Sequence, residues 1–163
     1  MNRVVVTGIG MVSSHGVGKD EIWPKIKEGI SAIDFLKRVD NSDLKTKFGG
    51  EIADNFNAED FIDAKEARRS DVFIRYAAAA AVLALKDSGF EINSKNEHLI
   101  GSYIGSGIGG IQTFVDNVIA YREKGPSRVS PFFVPSMVPN MAAGYVSIFN
   151  LSLIHISEPT RPM

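Results

Sequence analysis

The sequence predicts a layered α/β domain, and three stretches carry that prediction. Residues 4–6 form an apolar, β-branched run that is typical of a buried strand and that ends at Gly8 and Gly10. The alanine-rich stretch "SDVFIRYAAAAAVLALKDSG" has the apolar spacing of a helix. The stretch "HLIGSYIGSGIGGIQTFVDNVIAYREKG" predicts a second strand, a glycine-rich loop and a further helix. Strands that alternate with helices in this way favour a layered α/β fold.

Shorter signals predict the elements of the first 60 residues. "GKDEIWPKIKEGIS" predicts an amphipathic helix, because apolar residues recur at helical spacing and Gly29 is placed to end it. Pro24 is expected in the first turn of that helix, where proline is tolerated. "KFGGEI" predicts a short extended piece, and Asn57 is expected to cap a helix that begins in "NAEDFI".

The alanine-rich stretch gives the strongest helix prediction. Ser70 or Asp71 is expected to cap its N-terminus, and Gly89 is placed to end it. Four residues follow the helical period, with Tyr76, Val82 and Leu83 alongside, namely Phe73, Ala77, Ala80 and Ala84. The small alanine side chains allow another helix or a sheet to approach closely. Beyond the proline-broken loop "SPFFVPSMVP", a last helix is expected from about Asn140.

Composition excludes several classes of function. The chain has 163 residues, 44% of them hydrophobic, and a net charge of −1, which fits one soluble globular domain and argues against a general nucleic-acid binder. No apolar run reaches the roughly 18 residues of a membrane span, and the N-terminus lacks the features of a secretory signal. We therefore expect no membrane or nucleic-acid partner and a cytoplasmic location.

Cysteine and histidine usage argues against a metal or catalytic centre within this chain. The sequence contains no cysteine, so it has neither a thiolate metal site nor a cysteine nucleophile. His15, His98 and His155 are scattered without metal-ligand spacing, and each is expected to be structural or exposed. We accordingly expect no metal and no cofactor.

Two glycine-rich motifs leave alternatives open. "TGIGMVS" follows a predicted strand, but a dinucleotide fingerprint needs a third glycine where Ser13 stands, so a tight turn is favoured. "GSGIGG" at residues 105–110 lets the backbone pass close to a phosphate, an acyl chain or another subunit. No Lys-Ser/Thr pair follows it, which excludes a Walker loop. A plain packing turn and a ligand site both fit this second motif.

A basic cluster is the third candidate feature. "AKEARRSD" places Lys65, Arg68 and Arg69 within about one helical turn. Such a run is either a solvated helix face or a docking site for an acidic partner.

Four motifs in order and spacing resemble the N-terminal portion of the β-ketoacyl-[acyl carrier protein] synthase II family, thiolase-like ketosynthases that elongate fatty acids. The motifs are "RVVVTGIGMVSSHGVG", "KEARRSDVFIRYAAAAAVLALKDSG", "IGSGIGG" and "SPFFVPSMVPNMAAG". The resemblance runs from about Arg3 to Asn150. It implies an incomplete N-terminal part of a thiolase-like layered αβαβα fold, a homodimer in the complete family members, and acyl carrier protein as partner.

The family resemblance also implies a chemistry. In the family, a cysteine at a helix N-terminus takes an acyl group from acyl carrier protein, and two histidines stabilise the oxyanion. Malonyl carrier protein then loses CO2, and its carbanion attacks the thioester. None of these three residues is expected in this chain. We therefore assign no catalytic residue and predict that the chain is inactive alone.

Binding residues carry over to matching positions. Gly107 and Ile108 resemble the wall of the acyl pocket, and Phe133 and Val134 resemble the dimer-interface loop that reaches toward the partner's acyl pocket. The basic cluster matches the carrier-protein docking helix, with a second basic position nearby. The docking residues implied by the resemblance are Lys65, Arg68, Arg69 and Arg128.

The resemblance divides the chain into two parts. Residues 1–150 are expected to form a partial N-terminal β-ketoacyl synthase domain. Residues 151–163, "LSLIHISEPTRPM", match no ketosynthase segment and resemble a translated sequencing adapter, so a non-native tail is predicted. Two alternatives stay open: a natural, non-catalytic ketosynthase-like partner subunit, and an unrelated nucleotide-binding α/β domain.

Overall fold

The computed structural model describes residues 3–150, and helices make up most of its regular structure. The α-helices are α1 (Lys19–Lys27), α2 (Ala64–Arg69), α3 (Val72–Ser88), α4 (Ile111–Lys124), α5 (Phe133–Met137) and α6 (Met141–Asn150). Short 3-10 helices span Ala58–Asp60, Glu97–Leu99 and Pro126–Arg128. Two antiparallel pairs of two-residue strands are present, β1 (Val12–Ser13) with β2 (Gly16–Val17) and β3 (Asp34–Phe35) with β4 (Phe48–Gly49).

The long helix α3 confirms the strongest helix prediction, including both of its ends. The Asp71 carboxylate accepts a hydrogen bond from the Phe73 amide at 3.4 Å, and Gly89 ends the helix with φ of 62°. Its fully buried side chains are Ile74, Ala78 and Ala79, which are not among the four residues whose period indicated the helix. Alanine occupies several faces of this helix, so the sequence lacks the contrast in side-chain size that marks a buried face.

The core lies where α3 packs against α6. Ala78 of α3 is fully buried in a cluster with Val146 of α6, Ile62 and Ala67. Phe61, Ile104 and Phe149 are partly buried around the same cluster. The small alanine side chain lets the two helices approach closely, and this contact fixes α2 and the segment around Ile104 relative to α3.

Helix α1 forms as predicted, but its proline lies deeper than expected. Pro24 is the sixth of the nine residues in Lys19–Lys27, not a first-turn residue. The missing amide removes one bond, to the carbonyl four residues earlier. The Pro24 carbonyl still accepts a hydrogen bond from Glu28 at 3.0 Å, so the helix continues to its end. Asn57 caps the 3-10 helix Ala58–Asp60, and "KFGGEI" supplies β4, both as predicted.

The two predicted strands at residues 4–6 and 100–104 are wrong in this structure. Val4 and Val6 are 92% and 82% exposed, and neither segment belongs to the two-stranded sheets found within residues 3–150. A helix makes its hydrogen bonds internally, whereas a strand needs a paired neighbour. The helices therefore form, whereas these two segments do not pair as strands. The unpredicted hairpin β1–β2 turns through Ser14 and His15.

Two further expectations concern the ends of the chain and membranes. The predicted tail, residues 151–163, and His155 within it lie outside the described residues. Among the helices that the structure describes, none is both long and apolar enough to span a bilayer.

Candidate functional site

Helix α2 presents the predicted basic cluster. The Asp63 carboxylate caps the helix by accepting a hydrogen bond from the Lys65 amide at 2.8 Å. An acidic cap at the N-terminus and two arginines in the last turn both suit the helix dipole. Lys65 and Arg68 are exposed, and the Arg68 side chain retains 71% of its accessible surface. The sequence prediction that these cations share one short helix is confirmed.

The three cations differ in how firmly they are held. Arg69 lies 3.9 Å from Glu66, and its guanidinium carbon lies 4.6 Å from the centre of the Phe132 ring. This is a cation–π contact, which ties Arg69 to the segment before α5. Arg68 has only a 4.0 Å contact with Glu59. Arg68 is therefore the more available of the two arginines.

Residues at the junction of α2 and α3 fix the basic helix to the rest of the molecule. The Asp71 carboxylate, 4% exposed, accepts a hydrogen bond from the Thr113 amide in the first turn of α4 at 2.9 Å. The Ser136 hydroxyl of α5 donates to the Arg69 carbonyl at 2.5 Å. One junction thus contacts the first turn of α4 and the middle of α5. Sequence reasoning proposed Asp71 only as a helix cap and did not identify Ser136.

Arg75 is a further basic residue that the sequence prediction missed. Its Nε and Nη2 donate to the Ser70 carbonyl at 2.9 and 2.6 Å. Two open clefts meet along Arg68 and Arg75. One, of about 290 Å³, lies toward α4, and the other, of about 450 Å³, lies toward Phe56 and Tyr76. Arg75 lies six or more residues from the cluster along the chain. Sequence spacing therefore did not indicate that it lies near the cluster in the fold.

Arg128 stands apart from this group. It ends the 3-10 helix Pro126–Arg128, which packs against α4, and it is exposed. It lines neither of the two clefts beside α2. The structure therefore brings Lys65, Arg68 and Arg69 together on one helix and places Arg128 on a separate element.

The loop at residues 105–110 uses its glycines in two ways. The Gly110 amide donates to the Met137 carbonyl at 2.9 Å, and a Cβ on Gly109 or Gly110 would overlap the backbone of Ser136 or Met137. Gly109 also has φ of 75°, which favours glycine. Around Gly105 and Gly107, by contrast, a Cβ would meet no atom of residues 3–150 within 4 Å. Packing explains the last two glycines, and the first two border open space.

The predicted pocket residues lie on these two contacting segments. Phe133 of α5 is half-buried, with its ring 6.2 Å from that of Phe114 on α4. Val134 is 58% exposed and Ile108 is 72% exposed. The structure brings the glycine loop against α5 through Gly110, and it leaves Ile108 and Val134 as apolar side chains at the surface.

The first glycine motif, "TGIGMVS", packs on α3. A Cβ on Gly8 would overlap the Ala84 carbonyl oxygen, and a Cβ on Gly10 would overlap the Ala80 carbonyl oxygen. Helix backbone thus occupies the space that a dinucleotide phosphate would need. The sequence analysis favoured a simple turn and did not predict this contact with the helix, because the contacting residues lie about 70 positions away in the sequence.

A polar cluster near α1 has a structural explanation. Glu21 accepts hydrogen bonds from Lys25, the Val17 amide and Asn55 at 2.9, 2.9 and 3.1 Å. The Lys25 bond, followed by the Val17 and Asn55 bonds, lowers the pKa of Glu21 to about 2. His15 contacts the Ile30 carbonyl at 2.8 Å through Nε2. These bonds tie α1 to the β1–β2 hairpin and the loop after it.

Comparison with known proteins shows consistent similarity to one family. The model of the β-ketoacyl synthase N-terminal domain matches residues 1–152. The chain is 47% identical over 146 residues to 3-oxoacyl-[acyl-carrier-protein] synthase 2 of Staphylococcus aureus strain COL, covering 90% of this chain and 35% of that protein. The Vibrio cholerae protein of the same name is 44% identical, with 90% and 35% covered. The chain thus spans about a third of the length of these relatives.

Solved structures agree with the sequence comparison. A β-ketoacyl synthase from Burkholderia phymatum superposes with a TM-score of 0.74 at 29% identity, over 91% of this chain and 37% of that one. A ketosynthase solved in complex with its type II polyketide acyl carrier protein gives 0.73 at 25% identity, over 91% and 39%. These similarities show a partial α/β ketosynthase fold, which confirms the predicted fold class.

Proposed function

Because the chain belongs to the β-ketoacyl synthase family through its N-terminal domain, we propose that it is part of a 3-oxoacyl-[acyl-carrier-protein] synthase that elongates fatty acids. The observation that carries the proposal is the 47% identity with the Staphylococcus aureus protein of that name over 90% of this chain. The exposed cations of α2 support it from the structure. They offer a charged surface of the kind that steers an acidic carrier toward an enzyme.

The proposed reaction is a decarboxylative Claisen condensation. A thiolate attacks the acyl thioester of the carrier, forms an acyl-enzyme and releases the carrier thiol. Malonyl carrier protein loses CO2, and the resulting carbanion attacks the acyl-enzyme, which releases the thiolate. This chain contains no cysteine. We therefore assign it docking and pocket-forming roles and expect it to lack condensing activity alone.

Lys65, Arg68, Arg69 and Arg128 are the proposed docking residues for acyl carrier protein. A ketosynthase of similar fold has been solved together with its acyl carrier protein. Lys65 and Arg68 are exposed on α2, so they are the cations best placed to meet carboxylates. Arg69 contacts the Phe132 ring, so its guanidinium is less available to a partner and helps to hold the basic surface in place. Arg128 would extend the contact on a second element.

Gly107, Ile108, Phe133 and Val134 are the proposed contributors to the acyl pocket. The open space beside Gly107 and the exposed side chains of Ile108 and Val134 suit contact with an apolar chain. A homodimer is proposed with it, supported by an exposed apolar face on α4. That face comprises Ile111, Phe114, Val115, Val118 and Ile119.

A binding experiment tests the docking proposal. Purified acyl carrier protein titrated into this chain should bind, and Lys65→Glu with Arg68→Glu should weaken binding, mainly through the association rate. Each exposed pair contributes roughly 0.2–1 kcal/mol, so the double reversal should cost several-fold in affinity, and less at high salt. Lys45→Glu, an exposed reversal on another surface, is the control and should change little. Equal effects of both variants would contradict the docking role.

A second experiment tests the assignment of chemistry. The purified chain, incubated with radiolabelled acyl carrier protein, should acquire no covalent acyl group, and it should form no condensation product with malonyl carrier protein. Label that stays on the chain after denaturation would show that it holds a nucleophile of its own.

A further inference from the structure

A cleft with an aromatic floor lies beside the basic helix. It has a volume of about 450 Å³ and lies between α2, the start of α3 and the segment that precedes the 3-10 helix Ala58–Asp60. Its floor contains Phe56 and Tyr76, whose rings meet edge to face with centroids 5.1 Å apart. Both rings are half-buried. The cleft therefore presents two aromatic rings within reach of solvent, among polar side chains.

The rim of this cleft is mostly basic. The Arg68 side chain is 71% exposed, and Glu59, 4.0 Å away, is its weak local partner. Arg75 also lines the cleft, and its bonds to the Ser70 carbonyl hold the guanidinium in place. Val72, the first residue of α3, is 40% exposed and also lines the cleft. One apolar opening thus lies among two arginines and one carboxylate.

We propose that this cleft receives an apolar side chain of the acyl carrier protein while carboxylates around that side chain pair with Arg68 and Lys65. The proposal rests on the docking function above and adds an apolar anchor to it. A charged surface steers association, whereas desolvated apolar contacts in a pocket slow dissociation. A single apolar side chain fits a cleft of this size.

Charge decides between the carrier and a second copy of this chain as occupant. A symmetric dimer through this surface would bring Arg68 and Arg75 of one copy against the basic rim of the other. Like charges at an interface are unfavourable, whereas a partner with net negative charge is attracted. Glu59 would compete with the carboxylates of such a partner for Arg68, so removing its charge should favour binding.

The test compares an exposed valine in the cleft with one outside every proposed contact. Val72 is 40% exposed and lines the cleft, and Val39 is 51% exposed in the segment between β3 and β4. Binding of purified acyl carrier protein to the chain is measured by calorimetry at about 0.05 M and about 0.5 M salt. Val72→Ser should weaken binding about fivefold to tenfold at both salt concentrations, as expected for loss of a buried aliphatic contact. Val39→Ser should have no effect.

Charge variants complete the test, because they distinguish failure of the apolar anchor from failure of docking. Arg68→Glu should weaken binding at low salt and less at high salt, and Glu59→Gln should strengthen it about twofold at low salt. No binding of the carrier by the unaltered chain would overturn docking itself. If Arg68→Glu weakened binding while Val72→Ser had no more effect than Val39→Ser, the apolar anchor alone would be overturned. Melting curves verify that each variant is folded.

Discussion

The two glycine loops of this molecule pack at opposite ends of the same helix, α3, and they differ in how they are held. Near the C-terminal end, the Ile9 amide donates to the Asp87 carboxylate at 2.9 Å, and Lys19 pairs with the same carboxylate at the surface. Near the N-terminal end, the buried Asp71 carboxylate accepts from Thr113, just beyond the second loop. The first loop is thus held by a carboxylate at the surface, and the second is held by a buried carboxylate.

This difference shows that two glycine-rich motifs of similar sequence have different structural roles. Gly8 and Gly10 are both required by contact with the α3 backbone. In the second loop, Gly109 and Gly110 pack against α5, while Gly105 and Gly107 border open space. The second loop therefore combines two packed glycines with two that border open space, which is why it is the better candidate for a ligand contact.

The largest expected effect comes from filling the first loop. Gly10→Ala should destabilise the chain by about 3 kcal/mol or more, because the added Cβ would overlap the Ala80 carbonyl, which is backbone and cannot rotate away. Gly8→Ala, against the Ala84 carbonyl, should have a similar effect. Thermal unfolding followed by circular dichroism measures both. A melting temperature within error of the unaltered chain would show that the loop is not packed on α3.

Asp71, the buried carboxylate at the N-terminus of α3, should rank next. Asp71→Ala removes the cap of α3 and the acceptor for Thr113 in α4, so we expect a loss of about 2 kcal/mol, or roughly 1 kcal/mol for each helix end. Asp71→Asn retains one acceptor oxygen and should lose less. Chemical denaturation gives the free energies. A loss no greater for alanine than for asparagine would contradict the double cap.

Comparison of sequence with structure explains why these anchors were hard to predict. The cap of α3 by Asp71 follows from its neighbours, but its bond to Thr113 spans 42 residues, and that of Ser136 to Arg69 spans 67. Local spacing does not encode such contacts. The basic cluster on α2 was predictable because its residues are adjacent, whereas Arg75 joins it only through the turn between α2 and α3.

The same contrast holds for secondary structure. Helices α1, α3, α4 and α6 were predicted because capping residues and apolar periodicity are local signals. The strands expected at residues 4–6 and 100–104 depend on distant partners, and the structure leaves Val4 and Tyr103 at the surface. The alternating exposure of residues 100–104 nevertheless follows the period of a strand. The sequence therefore predicted the side-chain pattern but not the pairing.

Asp87, the surface carboxylate of α3 that holds the first loop, should have a smaller, pH-dependent effect. The hydrogen bond from Lys19, followed by that from the Ile9 amide, lowers the pKa of Asp87 below its ordinary value of 3.8. Because the folded pKa is depressed, this stabilisation is present above about pH 4 and is lost as the pH falls below it. Asp87→Asn should lower the melting temperature at pH 7, by less than Asp71→Ala does.

The acid limb of the profile is the control for Asp87. As the pH falls below about 4, the melting temperature of the unaltered chain should lose the excess that it has over that of Asp87→Asn at pH 7. Lys19→Met should reduce the same difference, since it removes the principal cause of the shift. If the difference in melting temperature between Asp87→Asn and the unaltered chain stayed constant from pH 7 to pH 2, the carboxylate would act through packing and not through charge.

The smallest expected effect is at Gly107, where the second loop opens to solvent. Within the part of the chain that the structure describes, a Cβ placed there meets nothing within 4 Å. Gly107→Ala should therefore change the free energy of unfolding by no more than about 0.5 kcal/mol, with a slight gain from the less flexible unfolded chain. Gly110→Ala is the matched variant, because its Cβ would overlap the Ser136 carbonyl and should destabilise strongly. Denaturation of the two variants side by side measures the contrast. If Gly107→Ala destabilised as much as Gly110→Ala, the whole loop would be a packing turn, and the space beside Gly107 would lose its place in the proposed acyl pocket.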